Sequence, residues 1–195
     1  MTAFLPEPPH SHGAPARTAV LLVNLGTPDA PTASAVRRYL AQFLSDRRVV
    51  EIPPLLWWPI LHGIILRTRP AKSAAKYAAI WMPEGSPLRL HTAHQAGQLA
   101  DALRVAGLGQ VQVAWAMRYG QPGIPAVLES LRASGCTRIL VLPLYPQYAA
   151  STSASTMDEV ARSMLAWRNV PELRFVRNFH DHAGYIEALA TSVRE

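Results

Sequence analysis

Short apolar runs alternate along this chain with stretches of helically spaced apolar positions. Val20 to Leu25 is a compact apolar run that stops at Gly26-Thr-Pro-Asp29, as a buried β-strand does at a turn. Asp29 to Pro31 carries helix-start chemistry. Val36, Leu40, Phe43 and Leu44 then recur at helical spacing, which predicts a helix over Ala33 to Leu44. Val49 to Ile52 reads as a second short strand, broken by Pro53-Pro54. Leu55 to Leu66 (LLWWPILHGIIL) is very apolar. It falls short of the about 20 apolar residues that cross a bilayer, and Pro59 and Gly63 interrupt it. Such a segment forms core, the lip of a pocket or a patch that touches a membrane surface. Adjacent tryptophans at 57 and 58, with Arg67 and Arg69 close by, add weight to the last two.

Ala71 to Trp81 reads as a helix ended by Pro83, and Glu84-Gly-Ser-Pro87 as a turn that caps a helix over Leu88 to Ala106. Strand and helix then alternate. Strands are predicted at Val111 to Ala116, Arg138 to Leu144 and Leu173 to Val176. Helices are predicted at Ile124 to Ala133, Thr156 to Trp167 and from Tyr185 to the end. This alternation argues an α/β fold, a parallel sheet flanked by helices on both faces. Residues 1–17, rich in Pro and His and without periodicity, read as a disordered tail; His10 and His12 are weak metal candidates there.

Composition narrows the function classes. Hydrophobic residues make up 49% and charged residues 16%, enough for a sizeable core, and the net charge of +6 suits anionic ligands or acidic lipid surfaces. No basic run, zinc-finger spacing or recognition-helix pattern supports nucleic acid. The single cysteine, Cys136, excludes an intrachain disulfide and cannot alone hold an iron–sulfur cluster. No secretory signal opens the chain, which points to the cytoplasm. Gly26-Thr-Pro lacks the spaced glycines of a dinucleotide fingerprint, and no phosphate-binding Gly-Lys-Ser/Thr loop is present.

The densest candidate chemistry lies at Leu142-Pro-Leu-Tyr-Pro-Gln-Tyr148, running into Ser151-Thr152. A strand ends there, and ligands of open α/β sheets gather beyond the carboxyl ends of strands. Two tyrosines offer flat apolar faces with polar tips, suited to a large planar ligand with polar edges, or else fill core and loop positions. Met117-Arg-Tyr119 follows another predicted strand, so Arg118 is placed to hold a carboxylate through paired hydrogen bonds or to pair with an acidic neighbour. His180 and His182, flanking Asp181, are weak metal candidates on a loop, with no further ligand set at fixed spacing.

Taken together, Leu22-Val-Asn-Leu-Gly-Thr-Pro28, Phe43-Leu-Ser-Asp-Arg-Arg48, Ile80-Trp-Met-Pro-Glu-Gly-Ser-Pro87, Met117-Arg-Tyr119 and Leu142 to Tyr148 resemble the ferrochelatase family, most of all its bacterial form. The resemblance runs from about residue 18 to the end. It implies insertion of ferrous iron into protoporphyrin IX to form protoheme, the last step of heme biosynthesis, in a cleft between two similar flavodoxin-like α/β halves. It places Leu25 against the macrocycle, Tyr77, Ser86 and Leu55 to Leu66 at the lip, Arg118 on a propionate, and Tyr119 and Tyr145 along the cleft. An apolar lip would suit a substrate that partitions into membranes.

The resemblance also implies a chain nearly twice this long. The family's metal-site histidine and its partner glutamate would lie beyond Glu195, and His180 and His182 do not match that histidine's motif. Residues 18–195 are therefore expected to form an N-terminal chelatase domain whose second domain is missing. Such a chain would supply the porphyrin-binding half and be inactive alone, with a second chain completing the cleft. The alternatives are a non-catalytic porphyrin- or partner-binding half, and a small homodimeric tetrapyrrole chelatase using His180 and His182.

Overall fold

The computed structural model describes residues 4–9 and 13–194, so His10 and His12 lie outside the described residues. Its centre is a sheet of four parallel strands, β1 (Arg17–Gly26), β2 (Gln112–Tyr119), β3 (Cys136–Pro143) and β4 (Glu172–Phe175), in the order β2-β1-β3-β4. The chain moves from β1 to β2 on one side and then crosses back to β3 on the other. That reversal opens a crevice at the carboxyl ends of β1 and β3, where open parallel sheets bind ligands.

Strand alternation builds the core. Ala19, Leu21 and Val23 of β1 share one face with Ala116, Ile139 and Val141, all buried. Two helices cover this face, α5 (Ile124–Ala133) and α6 (Ser155–Met164), through Ile124, Leu128, Leu131, Val160 and Met164. Each fully buried aliphatic side chain contributes about 1.5–3 kcal/mol relative to exposure. The opposite face of β1 and β2 is covered by α4 (Pro87–Val105), whose buried Thr92 accepts a hydrogen bond from Asn24 Nδ2 at 3.1 Å.

Helix α1 (Ala33–Leu44) forms where the apolar spacing predicts it. Its cap is Thr32, whose Oγ1 accepts from the Ala35 N–H, while Asp29 instead pairs with Arg38. The predicted strand at Val49 to Ile52 does not form. The Val49 and Val50 N–H groups donate to the Asp46 carbonyl, turning the chain, and Pro53 leads straight into α2 (Pro54–Ile60). One turn of π-helix, Leu61–Ile65, then joins α2 to α3 (Leu66–Ile80), so the apolar segment is helical and the predicted helix begins well before Ala71. The wider turn lies between Pro59 and Pro70, each of which lacks the N–H of a regular helix ladder. Ser86 occupies the N-cap position of α4 without a side-chain cap bond; Pro87 starts the helix. Strand β2 extends to Tyr119, so Arg118 lies within the strand rather than after it.

Residues 4–9, read from sequence as tail, lie against the lower end of the core. The Leu5 N–H donates to the Ala166 carbonyl at 2.9 Å, and Arg132 donates to the Pro6 carbonyl at 2.5 Å. After β4 comes α7 (Ala183–Arg194), which buries none of its described side chains. No described helix is long and apolar enough to cross a membrane.

The carboxyl ends of β1 and β2 approach too closely for side chains. Gly26 has φ +108, and a Cβ there would lie 1.7 Å from the Tyr119 carbonyl oxygen. Gly26→Ala is expected to lower unfolding free energy by more than the about 1–3 kcal/mol that a strained backbone alone costs. Gly135→Ala, with φ +79 but open space around it, should lose less. Urea denaturation of both variants checks this, and equal losses would mean that the β1–β2 approach is not limiting.

Candidate functional site

Aromatic side chains gather at the carboxyl end of the sheet. Tyr39, on the buried face of α1, stacks on Phe43 with ring centroids 6.0 Å apart and meets Tyr77 of α3 edge-on at 6.3 Å. Tyr119, at the end of β2, meets Phe43 at 5.1 Å and Tyr39 at 6.5 Å, both edge-on. Burial raises the pKa values of Tyr39, Tyr77 and Tyr145, and pushes Tyr119 up to about 12. These phenols are therefore neutral near pH 7 and available as hydrogen-bond donors. The hydroxyls of Tyr145, Thr27, Ser153 and Thr156 are buried with no hydrogen-bond partner among the described residues. An unpaired buried polar group costs about 1–3 kcal/mol, so this end of the sheet favours a polar partner.

Beside the aromatic cluster lies a polar one centred on Asp46. Its Oδ2 accepts from Arg118 Nη2 at 2.6 Å, Tyr119 OH at 2.8 Å and Ser155 Oγ at 2.5 Å, and its Oδ1 accepts from the Arg48 N–H at 2.7 Å. Arg118 is 7% exposed; its Nε donates to the Ser155 carbonyl and hydroxyl, and its Nη1 lies 3.3 Å from Glu159. Asp158 takes a two-pronged bond from Arg48. A cleft of about 780 Å³ opens onto this network, lined by Asp46, Arg118 and Glu159 themselves together with Arg47, Arg48 and Arg162. Burial disfavours the charged Asp46, but hydrogen bonds from Ser155, the Arg48 N–H and Tyr119, together with the Arg118 charge, outweigh it and hold the carboxyl below its usual value.

The sequence pattern of one family, Ferrochelatase, matches residues 17–195. This chain belongs to the ferrochelatase family. Ferrochelatases of Aromatoleum aromaticum and Azoarcus sp. (strain BH72) are 64% and 65% identical to it over 195 residues, covering 100% of this chain and 53% of each relative. That of Dechloromonas aromatica is 64% identical over the same span. The chain thus spans about half the length of the curated ferrochelatases it matches.

The residues assigned by the ferrochelatase resemblance fall into distinct places. Tyr77 and Tyr119 belong with Tyr39 to the aromatic cluster, and Tyr145, its hydroxyl buried, follows the end of β3. Tyr119 is 0% exposed, so its ring backs the cluster rather than facing open space. Arg118 joins the same cluster, 4.5 Å over the Tyr119 ring, but its polar partners are protein groups. Leu25, half-buried, ends β1 beside Gly26. Ser86, buried, lines a separate small cavity with Pro28, Trp81 and Arg89. Tyr148 turns outward against Arg177, 4.3 Å from its ring centroid, and takes no part in the cluster. His180 and His182 are exposed; His182 Nδ1 accepts from the Gly184 N–H at the start of α7. Among the described residues no three His, Cys, Asp or Glu side chains gather as metal ligands. Cys136 is buried near Gln112 Oε1 at 3.4 Å.

Sequence reasoning gave no role to Tyr39, Asp46, Ser155 or Glu159. Tyr39 sits one turn from Val36 and Phe43 on the apolar face of α1, a usable signal. Asp46 lay inside a quoted motif, but its partners come from β2 and α6, far along the chain.

Asp46 has a clear pH consequence. Its folded pKa is lowered, so the unfolded chain binds the extra proton first and stability rises with pH. The Asp46 contribution is complete above its unfolded value, near 3.8, and disappears as pH falls through the lowered one. Asp158, held low chiefly by its hydrogen bond from Arg48, acts in the same sense. Urea melts should show Asp46→Asn less stable than the unaltered chain at pH 7, with the gap closing as pH falls below 3.8 through the lowered folded value. A gap constant with pH would show that the Asp46 charge is not what stabilises the fold.

Proposed function

We propose that this chain supplies the porphyrin-holding half of an enzyme that inserts ferrous iron into protoporphyrin IX. The observation that carries the reading is the tyrosine cluster at the carboxyl ends of the strands, in a chain that matches the ferrochelatase family from residue 17 onward. Tyr77, Tyr145 and Leu25 offer apolar faces for the macrocycle. The neutral phenols supply polar edges. Metal insertion displaces two pyrrole protons, so a base and a metal-holding set must face this wall. The rest of the cleft, with those groups, is supplied by a second unit that adds the half of the relatives' length not matched here. Exposed Ile186, Leu189 and Val193 on α7, together with the free edge of β4, support such a partner surface.

The lip is proposed to rest on a membrane, within the cytoplasm. Leu55 is 90% exposed and Trp58 64%, and Arg67, Arg69 and Lys72 on the following helix are exposed as well. Trp57 anchors the lip instead, donating from Nε1 to the Leu44 carbonyl at 2.7 Å.

Two measurements follow. Adding protoporphyrin IX to the purified chain should give a saturable shift of its absorption band, while zinc, an oxygen-insensitive stand-in for iron, should enter no faster than in protein-free solution. Zinc insertion above that rate would sink the half-site reading in favour of a self-sufficient chelatase. Separately, the chain should sediment with phosphatidylglycerol vesicles, and Leu55→Glu with Trp58→Glu should weaken this by about tenfold or more. Undiminished sedimentation would remove the lip from the membrane contact.

A further inference from the structure

We infer that Asp46 is a positioning residue: it fixes Arg118 and Tyr119 in one rigid cluster behind the aromatic wall, and Arg118 serves that wall instead of binding the ligand's carboxylates. The inference rests on the porphyrin reading above and departs from the role that the family resemblance gives Arg118.

Three observations carry it. First, each guanidinium nitrogen already faces an oxygen of this chain: Nε donates to Ser155 and Nη2 to Asp46, and Nη1 lies 3.3 Å from Glu159 in an ion pair. Second, its charge is already matched. Arg118 and Arg162 face Asp46 and Glu159, two cations against two carboxylates, so an arriving carboxylate would meet no surplus positive charge. Third, its flat face is covered by the Tyr119 ring. From Asp46 a run of contacts leads to the ligand side: Tyr119 OH on the carboxylate, Tyr119 edge-on to Tyr39, and Tyr39 edge-on to Tyr77. Asp46 sits on the loop after α1, Tyr119 on β2 and Ser155 at the start of α6, so one carboxylate sets the distances among three segments.

The two roles for Arg118 differ in sign. Were Arg118 a receptor for carboxylates, removing the Asp46 charge would release it and tighten binding of a diacid porphyrin alone. As a support of the wall, its release loosens the site for any porphyrin. The test titrates protoporphyrin IX and its uncharged dimethyl ester, each delivered from the same detergent, into the unaltered chain, Asp46→Asn and Ser155→Ala. Far-UV circular dichroism checks the fold of each protein. Asp46→Asn is expected to weaken both porphyrins equally, by about tenfold, and to displace the absorption band of the bound porphyrin at saturation. Ser155→Ala, which leaves the charge pair in place, should act in the same direction with a smaller effect and keeps the test decisive if Asp46→Asn fails to fold. Tighter binding of the diacid alone, or unchanged binding of both porphyrins, overturns the inference while the porphyrin reading stands. No band shift with the unaltered chain overturns both.

Discussion

The Asp46 carboxylate is the constraint on which the upper half of the structure depends. Four donors reach it from the loop after α1, from β2 and from α6. A part-buried carboxylate is held charged by such pairing and hydrogen bonding, and removing one partner leaves the others unsatisfied. The consequence is geometric as much as energetic. The loop from Ser45 to Pro53 cannot become a strand, because Asp46 takes Arg48 on its side chain and Val49 and Val50 on its carbonyl. The turn so formed sends the chain into the lip helices and fixes where they stand relative to β2.

Much of the fold was legible from local pattern. Helices Ala33–Leu44 and Ile124–Ala133 formed at the predicted bounds, since their apolar spacing matches the face they bury. The strands were found as apolar runs, and their parallel arrangement followed from alternation with helices. Val49 to Ile52 went wrong because a short β-branched run is decided by its neighbours, here a carboxylate whose partners lie about 70 and 110 residues further along. Leu55 to Leu66 resisted assignment because exposed apolar helices and buried ones share one pattern; Trp57 is tied inward and Trp58 faces out, a difference set by packing on Leu44.

The candidate site was legible in its residue types but not in its connections. Tyrosines near strand ends suggested a planar ligand, and the structure joins Tyr77 and Tyr119 through Tyr39, a residue passed over as ordinary helix. The sequence left Arg118 two readings, a carboxylate holder at a strand end or an arginine paired with an acidic neighbour, and the structure shows it paired with Asp46. One further turn of strand pairing, Gly26 beside Tyr119, carries Arg118 into the interior and makes its partners internal. The same pairing explains the glycine: the β1 and β2 backbones meet where a side chain at residue 26 would strike the Tyr119 carbonyl.

Polar and apolar groups are distributed unequally over this chain, and the inequality has a direction. Around Asp46 nearly every donor and charge is matched within the chain. Among the described residues, apolar side chains on the lip and on α7 and the outer edge of β4 stand without cover. A single interior cannot explain both, since exposed apolar surface on this scale marks contact with something else. The matched cluster holds Tyr119 by its hydroxyl, and the exposed lip continues into α3, which carries Tyr77. The chain is thus internally matched where it sets the spacing of the aromatic wall and apolar at its exposed lip and α7. That is the arrangement expected of one wall of a cleft, and it accords with a chain spanning about half the length of its ferrochelatase relatives.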